Sequence, residues 1–253
     1  MVDIHSHVLP GMDDGARTLE ESLQMLELAA AAGTTDIVAT PHANAEFIYN
    51  RQRVQDAFRQ LEEASKGIIA LHLACDFHLS YDNLHNLFRD PLKYTINQRS
   101  YLLVELPDLV SLSSIREALR QLLNAQIKPI ITHPERNMSL QAKPRELERW
   151  VRDGCFVQVT GQSFLGRFGP EAQRAADAMM NTDLVHFVAS DAHDCVDRWP
   201  DLSKPYKYVC SRYGTGRADA IFTYNPTAAL WGESITSAAG SRTKISRLLD
   251  FWR

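Results

Sequence analysis

The sequence predicts an α/β protein built on a parallel β-sheet, and two observations support this. Short runs of valine, isoleucine and leucine are apolar on both faces, as strands in buried parallel sheets are. These runs alternate with segments of helical pattern, giving about seven β-α units with short connections. Units in this order form a parallel sheet that is either closed into a barrel or open and doubly wound.

Each predicted strand is a short apolar run, and several of them end in a polar or charged residue. In chain order the predicted strands cover residues 2–5, 35–40, 68–76, 101–105, 128–132, 155–160 and 184–189. Helices are predicted between them, among others at 51–65, 114–125 and 203–213.

Helix start and stop signals support this order of elements. Thr18 and Glu21 fit a capping box at the start of the first helix, and Gly33 stands where a glycine after the C-cap is expected. Pro144 and Gly154 fit the first turn and the end of a later helix.

The chain is predicted to form one large domain, because no linker rich in glycine, serine or proline divides it. The domain is expected over residues 1–232, followed by a C-terminal tail or short helix over 233–253. In a helix over 241–253, one face would carry Ile245, Leu248, Leu249 and Trp252.

The composition is that of an ordinary globular protein, with 45% apolar and 23% charged residues. A net charge of −4 without a long basic run gives no support for binding nucleic acid or anionic membranes. No stretch approaches the roughly 18 to 20 apolar residues that span a bilayer. A strand predicted from residue 2 leaves no room for a signal peptide. Four cysteines without Cys-x-x-Cys spacing then predict free thiols in a cytoplasmic protein.

Side chains that bind metals end or follow six of the predicted strands. They are His5, His7, His42, Asp76, Glu105, His133, Asp191 and His193. Because the carboxyl ends of strands in a parallel barrel open onto one face, we expect them to meet there. Either Asp13 or Asp14 is expected to join them, and spacing alone does not choose between the two. The remaining histidines are interpreted as core or surface residues: His72, His85, His186 and, closest to this face, His78.

This set of ligands predicts a site for several metal ions. Imidazoles and carboxylates without thiolates suit Mn, Fe or Zn better than Mg. Carboxylates can bridge ions, and two ions about 3.5 to 4 Å apart can share a hydroxide and hold a phosphoryl oxygen. The residues therefore favour hydrolysis of a phosphoester.

Further residues are candidates for binding the substrate. Arg136 lies just beyond His133, where its guanidinium would match a phosphate. Polar residues that end or follow the sixth predicted strand would line the same pocket: Gln158, Thr160, Gln162 and Ser163. A cysteine nucleophile is not expected, because no cysteine is followed six positions later by the arginine that such a phosphatase loop needs.

Taken together, these motifs resemble the polymerase and histidinol phosphatase (PHP) superfamily. The segments that carry the resemblance are Asp3-Ile4-His5-Ser6-His7, Met12-Asp13-Asp14-Gly15, Thr40-Pro41-His42, Val104-Glu105, Thr132-His133-Pro134-Glu135-Arg136 and Ala189-Ser190-Asp191-Ala192-His193. More narrowly, the chain resembles bacterial metal-dependent tyrosine phosphatases that are encoded with capsule and exopolysaccharide machinery. The match runs in order from the first predicted strand to Asn225-Pro226.

The resemblance implies a distorted seven-stranded parallel (β/α)7 barrel, similar to a TIM barrel, with three metal ions usually credited to manganese. It implies a first ion on His5, His7 and Asp191, a second on Glu105 and His133, and a third on Asp14, His42 and His193. Asp76 would be the bridging carboxylate, although the relatives place glutamate there. Arg136 would contact the substrate phosphate.

The expected activity is hydrolysis of a phosphomonoester by a metal-bound hydroxide, with His42, His193 or a metal-bound water as the proton donor if one is needed. The resemblance implies that the substrate is phosphotyrosine on a membrane tyrosine autokinase of polysaccharide export. Two alternatives stay open: a small-molecule phosphatase of the histidinol-phosphatase type, and a non-catalytic barrel that binds a kinase. The second is expected to have lost ligand residues, and here all nine positions hold metal-competent side chains.

Overall fold

The computed structural model describes residues 1–107 and 110–235, and every strand pair in it is parallel. In chain order the strands of this part are β1 (Val2–Ser6), β2 (Asp36–Ala39), β3 (His42–Ala43), β4 (Ala70–Leu73), β5 (Asp76–His78), β6 (Tyr101–Glu105), β7 (Lys128–Thr132), β8 (Phe156–Thr160) and β9 (Phe187–Ala189). They form a three-stranded sheet in the order β1-β2-β4 and a six-stranded sheet in the order β3-β5-β6-β7-β8-β9. The predicted α/β class with parallel strands is confirmed.

One predicted strand is divided between the two sheets, and another ends shortly before a strand of the second sheet begins. The segment predicted at 35–40 ends as β2 at Ala39, and the chain resumes as β3 after Pro41. Proline has no N–H to donate to a strand ladder, which accounts for the break. The segment predicted at 68–76 likewise becomes β4 and β5, with Ala74 between them donating its N–H to the Ala39 carbonyl at 2.9 Å.

The two sheets also meet on their other side. Ser6 forms an isolated parallel bridge with Ala192, and the N–H of Asp191 donates to the His5 carbonyl at 2.9 Å. The strand pairing nevertheless gives two sheets rather than the single closed seven-stranded barrel that was expected. The sheets adjoin because β2 and β4 bend into the strands that follow them.

Both sheets contribute to a common apolar core. Ile4 and Val38 of the three-stranded sheet pack in one cluster with Leu103, Ile130 and Phe187 of the six-stranded sheet. Alternate residues of the same strands pack outward against helices, as barrel strands do. The strand ends are therefore held at fixed positions by packing on both faces.

The helices cover the outside of the sheets. They are α1 (Leu19–Ala31), α2 (Arg51–Ala64), α3 (Tyr81–Arg89), α4 (Leu112–Asn124), α5 (Met138–Ala142), α6 (Pro144–Asp153), α7 (Gly169–Asn181), α8 (Ser203–Tyr213), α9 (Thr215–Asp219) and α10 (Asn225–Trp231). Short 3-10 turns lie at Pro91–Lys93, Ile96–Gln98, Pro134–Arg136 and Gly161–Leu165, and a π-turn at Ala220–Tyr224 precedes α10. Within the described ranges, every helix is too short or too polar to cross a bilayer.

The predicted caps are partly confirmed. The Thr18 hydroxyl accepts the N–H of Glu21 at 3.2 Å, but the Glu21 carboxylate accepts the N–H of Arg17 rather than that of the cap residue. Gly154 ends α6 in the left-handed conformation, with φ of 115°. All four cysteines are free. The helix predicted over 241–253 lies outside the described residues, and the division at residue 232 stays a prediction.

Candidate metal centre and active site

The strand ends bring the predicted metal ligands to one face. His5 lies near the end of β1 and His7 follows it, His42 opens β3, Asp76 opens β5, Glu105 closes β6, His133 follows β7, and Asp191 and His193 follow β9. His133 and Asp191 have positive φ values of 35° and 52°. Such backbone is costly for residues other than glycine, and it turns the chain sharply at these two strand ends.

Three groups of side chains have metal-ligand atoms that all lie within 4.8 Å of one another. The groups are His7, Asp14, His42 and His193; then His5, His7 and Asp76; then His42, Asp76 and Glu105. Each pair of groups shares one residue: His7, Asp76 or His42. Because the three groups share residues, they form one continuous cluster of side chains that could hold metal ions.

The other two predicted ligands lie beside these groups. Asp191 Oδ1 is 3.5 Å from His5 Nε2 and 3.6 Å from His7 Nε2. His133 Nε2 is 4.0 Å from Glu105 Oε1. All nine predicted ligand positions therefore meet at one face.

Asp76 tests whether these residues fit a metal ion. Both of its carboxylate oxygens are buried, and within the described ranges neither accepts a hydrogen bond. His42 Nδ1 is 3.2 Å and His5 Nε2 3.5 Å from Asp76 Oδ2, but neither ring is aligned to donate. A buried carboxylate whose oxygens accept no hydrogen bond is unfavourable, and a divalent ion among the surrounding imidazoles would give both oxygens a partner. Imidazoles and carboxylates without thiolates suit a divalent ion, so the residues fit one.

The structure distinguishes Asp13 from Asp14. Asp13 is buried, and its Oδ2 lies 2.7 Å from His7 Nδ1 and accepts the His42 N–H at 3.0 Å. This contact leaves Nε2 of His7 to face the centre. Asp14 is half exposed, and its Oδ1 lies 3.5 Å from His42 Nε2 and 3.6 Å from His193 Nε2. The structure therefore brings Asp14 into one of the groups that could hold a metal ion, whereas Asp13 contacts the ring of His7.

Gly15 lets this turn pack against the first strand end. A Cβ at Gly15 would lie 2.1 Å from the His7 carbonyl oxygen, which is a severe clash. The adjacent Ala16 donates its N–H to that same carbonyl at 3.0 Å. The Asp-Asp-Gly turn can approach His7 closely only because its third residue has no side chain.

Gln158 supports a ligand instead of lining the substrate pocket. Its side chain is fully buried, and its Oε1 is 3.0 Å from His5 Nδ1. An acceptor at Nδ1 holds the proton there and directs Nε2 of His5 to the centre. The position does not favour the substrate-binding role predicted for Gln158.

The other polar residues of this segment are also engaged inside the protein. Buried Glu135 accepts the N–H of Thr160 at 3.0 Å and the hydroxyl of Ser163 at 2.6 Å. Gln162 donates to the Trp199 carbonyl at 3.0 Å. These contacts fasten the turn that carries Arg136 to the end of β8, and they leave Thr160 off the cavity wall.

Two arginines converge on Asp191. Arg136 Nη1 lies 2.5 Å and Arg198 Nη2 2.6 Å from the same carboxylate oxygen, Oδ2. The ring of Phe168 lies against both guanidinium groups, at 4.6 Å from that of Arg136 and 6.0 Å from that of Arg198. Both guanidinium groups are partly exposed, and Arg136 also lines the cavity beside the centre, where an anionic substrate group can reach it.

Carboxylates raise the pKa of two central histidines. Burial lowers the pKa of His7, but Asp13 outweighs it and the pKa rises to about 9. Burial likewise lowers the pKa of His42, but the Asp76 carboxylate outweighs this effect and raises the pKa of His42 to about 9. Both rings hold a proton at neutral pH that an incoming metal ion would have to displace.

The opposite shift occurs at two other rings. Burial, with the nearby Arg136 cation, lowers the pKa of His133 to about 3. Burial and the neighbouring His7 lower the pKa of His193 to about 2. These rings are neutral at physiological pH, which is the form that binds metal ions.

The ring nitrogens of His42 and His193 face other groups of the centre, which favours a ligand position over the predicted proton-donor role. His42 faces Asp76 with Nδ1 and Asp14 with Nε2. His193 has Nδ1 3.0 Å from the Asp191 carbonyl and turns Nε2 to Asp14. Both rings are placed as ligands.

A cavity of about 940 Å³ opens beside the centre. Glu105, His133 and Arg136 border it on the side of the metal-ligand groups, and Tyr49 and Tyr94 contribute aromatic surface. His78 also lines it, 3.2 Å from Glu105, while His186 is buried and His85 exposed. The cavity is large enough for an aryl phosphate with chain attached.

Sequence reasoning missed the roles of several supporting residues. The sequence leaves Asp13 as an alternative metal ligand, and it predicts that Gln158 lines the substrate pocket. A glutamine inside an apolar strand was nevertheless a usable signal, since a buried amide requires a partner. Arg198 and Phe168 carried no signal, because they lie in loops whose course the sequence does not define.

Comparison with known proteins agrees with this geometry. The model of the capsular polysaccharide synthesis family CpsB/CapC matches residues 1–231. The chain belongs to this family. Among curated relatives, the tyrosine-protein phosphatase YwqE of Bacillus subtilis is 34% identical over the full length of both chains. CpsB of Streptococcus pneumoniae, also a tyrosine-protein phosphatase, is 28% identical over 93% of this chain and 100% of its own.

Solved structures give the same relationship. A crystal structure from work on YwqE and CpsB, described as unique metal-dependent tyrosine phosphatases, has a TM-score of 0.86 at 27% identity and covers 93% of this chain and 96% of its own. A phosphotriesterase from Mycobacterium tuberculosis has a TM-score of 0.56 at 10% identity, covering 90% and 93% of the two chains, and shows a shared fold alone. The PHP resemblance is consistent with this family.

Proposed function

We propose that this chain is a metal-dependent protein tyrosine phosphatase with its ions at the face where the strands end. The observation that carries the proposal is the interlocked set of histidines and carboxylates beside a cavity that Arg136 borders. The names of its full-length relatives support the same activity. An alternative barrel that only binds a kinase would have no use for a fully retained ligand set.

Three divalent ions are proposed, with manganese as the first candidate. Asp14, His42 and His193 would hold one, His5, His7 and Asp191 another, and Glu105 with His133 the third. Asp76 lies between His5 and His42 and would bridge. When bound, the ions would supply positive charge that activates water and offsets charge on the phosphate.

The chain's own residues would bind and orient the phosphate. Arg136 and Arg198 already meet one oxygen of the Asp191 carboxylate, and a phosphate oxygen would offer them a negative charge in the same way. Phe168 holds both guanidinium groups from behind. A tyrosine leaving group is a phenolate, which needs little help from a proton donor, so two histidines committed as ligands are compatible with this substrate.

The proposed substrate is a phosphotyrosine on a tyrosine autokinase of polysaccharide export. The capsular polysaccharide description of the family supports this choice. The cavity is wide and open enough for a side chain attached to a polypeptide. The cytoplasmic location inferred from the sequence would fit such a partner and stays a prediction.

Metal removal tests the proposal. The purified protein is treated with a chelator, dialysed and assayed with p-nitrophenyl phosphate, a phosphotyrosine peptide and a histidinol-phosphate-like ester. Activity should disappear and return with Mn²⁺ or a similar ion, and elemental analysis should show the metal content rising in parallel. Full activity in metal-free protein would contradict the proposal, and a strong preference for the small ester would favour the small-molecule alternative.

A further inference from the structure

Helix α3 forms one wall of the catalytic cavity and is held rigidly there. Asn83 and Asn86 line the cavity from this helix. The side-chain amide of Asn83 donates to the carbonyls of Ala43 at 2.6 Å and His78 at 2.8 Å, which ties the helix to two strands at the mouth. A ligand lying along α3 therefore meets a fixed surface.

An apolar groove of about 800 Å³ opens from the cavity at the start of α3. It shares His78 and Ser80 with the cavity. Its other walls include Leu84 and Ala118, and Tyr81 is 83% exposed there. An apolar side chain of a ligand would lose water-exposed surface against such a tyrosine and groove, and this burial would stabilise binding.

A second groove of about 640 Å³ opens beyond the other end of α3. It shares Tyr49 and Lys93 with the cavity. The Lys93 ammonium lies 4.8 Å from the centre of the Tyr94 ring, and among the described residues no carboxylate oxygen lies within 4.0 Å of it. The neighbouring Arg51 is instead paired with Asp90 at 2.7 Å. Lys93 is thus the cation at this end that can meet a carboxylate of a ligand.

The length of α3, at whose two ends the grooves open, suits a short peptide. Tyr81–Arg89 is a nine-residue helix, so it is roughly 13 Å long at about 1.5 Å per residue. An extended chain advances about 3.3 to 3.6 Å per residue, so about four residues cover that distance. With the phosphotyrosine in the cavity, side chains about two positions away on either side reach the grooves.

We propose that the phosphotyrosine polypeptide lies along α3, with an apolar side chain in the groove at Tyr81 and an acidic side chain at Lys93. The inference rests on the proposed phosphatase function and adds the sequence class of the substrate. Continuity of both grooves with the catalytic cavity selects the substrate chain itself as the occupant.

Three phosphotyrosine peptides test this arrangement. One carries leucine two positions before and glutamate two positions after the phosphotyrosine, the second has the two exchanged, and the third has glycine at both places. One of the first two should exceed the glycine peptide about tenfold in kcat/KM, mainly through KM, because it fills both grooves in the correct direction. Equal kcat/KM for all three peptides would overturn the proposal.

Variants locate the preference on the surface. Tyr81→Ala should reduce the advantage of the leucine, and Lys93→Gln that of the glutamate, each measured as a ratio to the glycine peptide with the same variant. The matched controls are Tyr224→Ala, which removes a tyrosine that is 67% exposed elsewhere, and Lys204→Gln, which removes a lysine lying over Trp199. Both controls should keep the ratio of the parent.

Two failures are distinguishable in these assays. If neither p-nitrophenyl phosphate nor any phosphotyrosine peptide is hydrolysed by the metal-loaded enzyme, the proposed function fails. If phosphotyrosine is hydrolysed, but the Tyr81 and Lys93 variants keep the full preference of the parent, only the placement along α3 fails.

Discussion

Asp76 and Asp191 are buried carboxylates in the same centre, and their surroundings are opposite. Among the described residues Asp76 accepts no hydrogen bond and has imidazoles as its nearest polar neighbours. Asp191 has two guanidinium groups on one oxygen. Burial raises the pKa of both groups, yet it is outweighed and both pKa values fall well below the usual range, with His5 the largest opposing influence in each case.

The difference indicates that the surroundings of Asp76 serve metal binding, whereas the arginines beside Asp191 serve binding of the substrate phosphate. The Asp76 carboxylate accepts no hydrogen bond among the described residues, so a metal ion would give its oxygens the direct partner that they lack. The charge on Asp191 is already balanced by side chains whose hydrogen bonds a phosphate could take over. Substitutions on the Asp76 side should therefore change metal content, and those on the arginine side should change catalysis at constant metal content.

The largest effect is expected at Asp76. Asp76→Ala removes the carboxylate shared by two ligand groups, so bound metal should fall and turnover should drop at least about 100-fold. Metal content by elemental analysis and turnover of p-nitrophenyl phosphate are the measurements. Normal values for both would show that Asp76 is no ligand.

A control and a longer side chain sharpen this result. Asp36→Asn alters an aspartate that also contacts a histidine, His72 at 3.0 Å, away from the metal-ligand groups, and metal content should not change. Asp76→Glu restores the residue that the resemblance to tyrosine phosphatases leads us to expect. We expect the longer carboxylate to preserve metal binding if the backbone leaves room, and to lower activity if the backbone has moved inward to suit aspartate.

The next largest effect is expected on the other side, at Arg136. Arg136→Ala removes one of two charge-assisted contacts available to the phosphate, and kcat/KM should fall roughly 30- to 100-fold. Arg198 approaches the same oxygen and limits the loss. Metal content should equal that of the parent. A normal kcat/KM would exclude Arg136 from the site.

The sequence predicted the strand ends and their ligands because both follow from local patterns. An apolar run followed by histidine or aspartate places a side chain of ligand type at the edge of a parallel sheet, and the structure brings the nine predicted positions together at that face. The sequence also contains Pro41, but the break in the strand ladder at this proline was not predicted from it. The choice between Asp13 and Asp14 depends on contacts with His7 and His193, which are distant in sequence, so local patterns could not make it.

A smaller effect on metal affinity is expected at Asp13. Asp13→Asn keeps the size of the side chain but removes the charge and one acceptor, so His7 is held less firmly with Nε2 toward the centre. Groups that orient metal ligands matter at roughly 10- to 100-fold in affinity, and we expect the lower end because the amide oxygen still accepts. Competition with a chromophoric chelator measures this affinity. An unchanged value would show that His7 needs no orienting acceptor.

The smallest effect is expected at Phe168, which acts on substrate only through the two arginines. Its ring contacts both guanidinium groups, and a cation over an aromatic face at a partly exposed site is worth about 0.5 to 1 kcal/mol. Phe168→Leu keeps an apolar side chain but removes the aromatic face, so kcat/KM should fall about two- to fivefold with metal content unchanged. Phe168→Tyr retains the aromatic face and should keep the parental kcat/KM. If Phe168 acted only through packing, the Leu and Tyr variants would not differ in this way. Phe88→Leu serves as the control in assays with p-nitrophenyl phosphate, which has no peptide to lie along α3, because Phe88 is also partly exposed but has no such contact among the described residues. If Phe168→Leu and Phe168→Tyr behave alike, the ring does not position the arginines, and their placement depends on Asp191 alone.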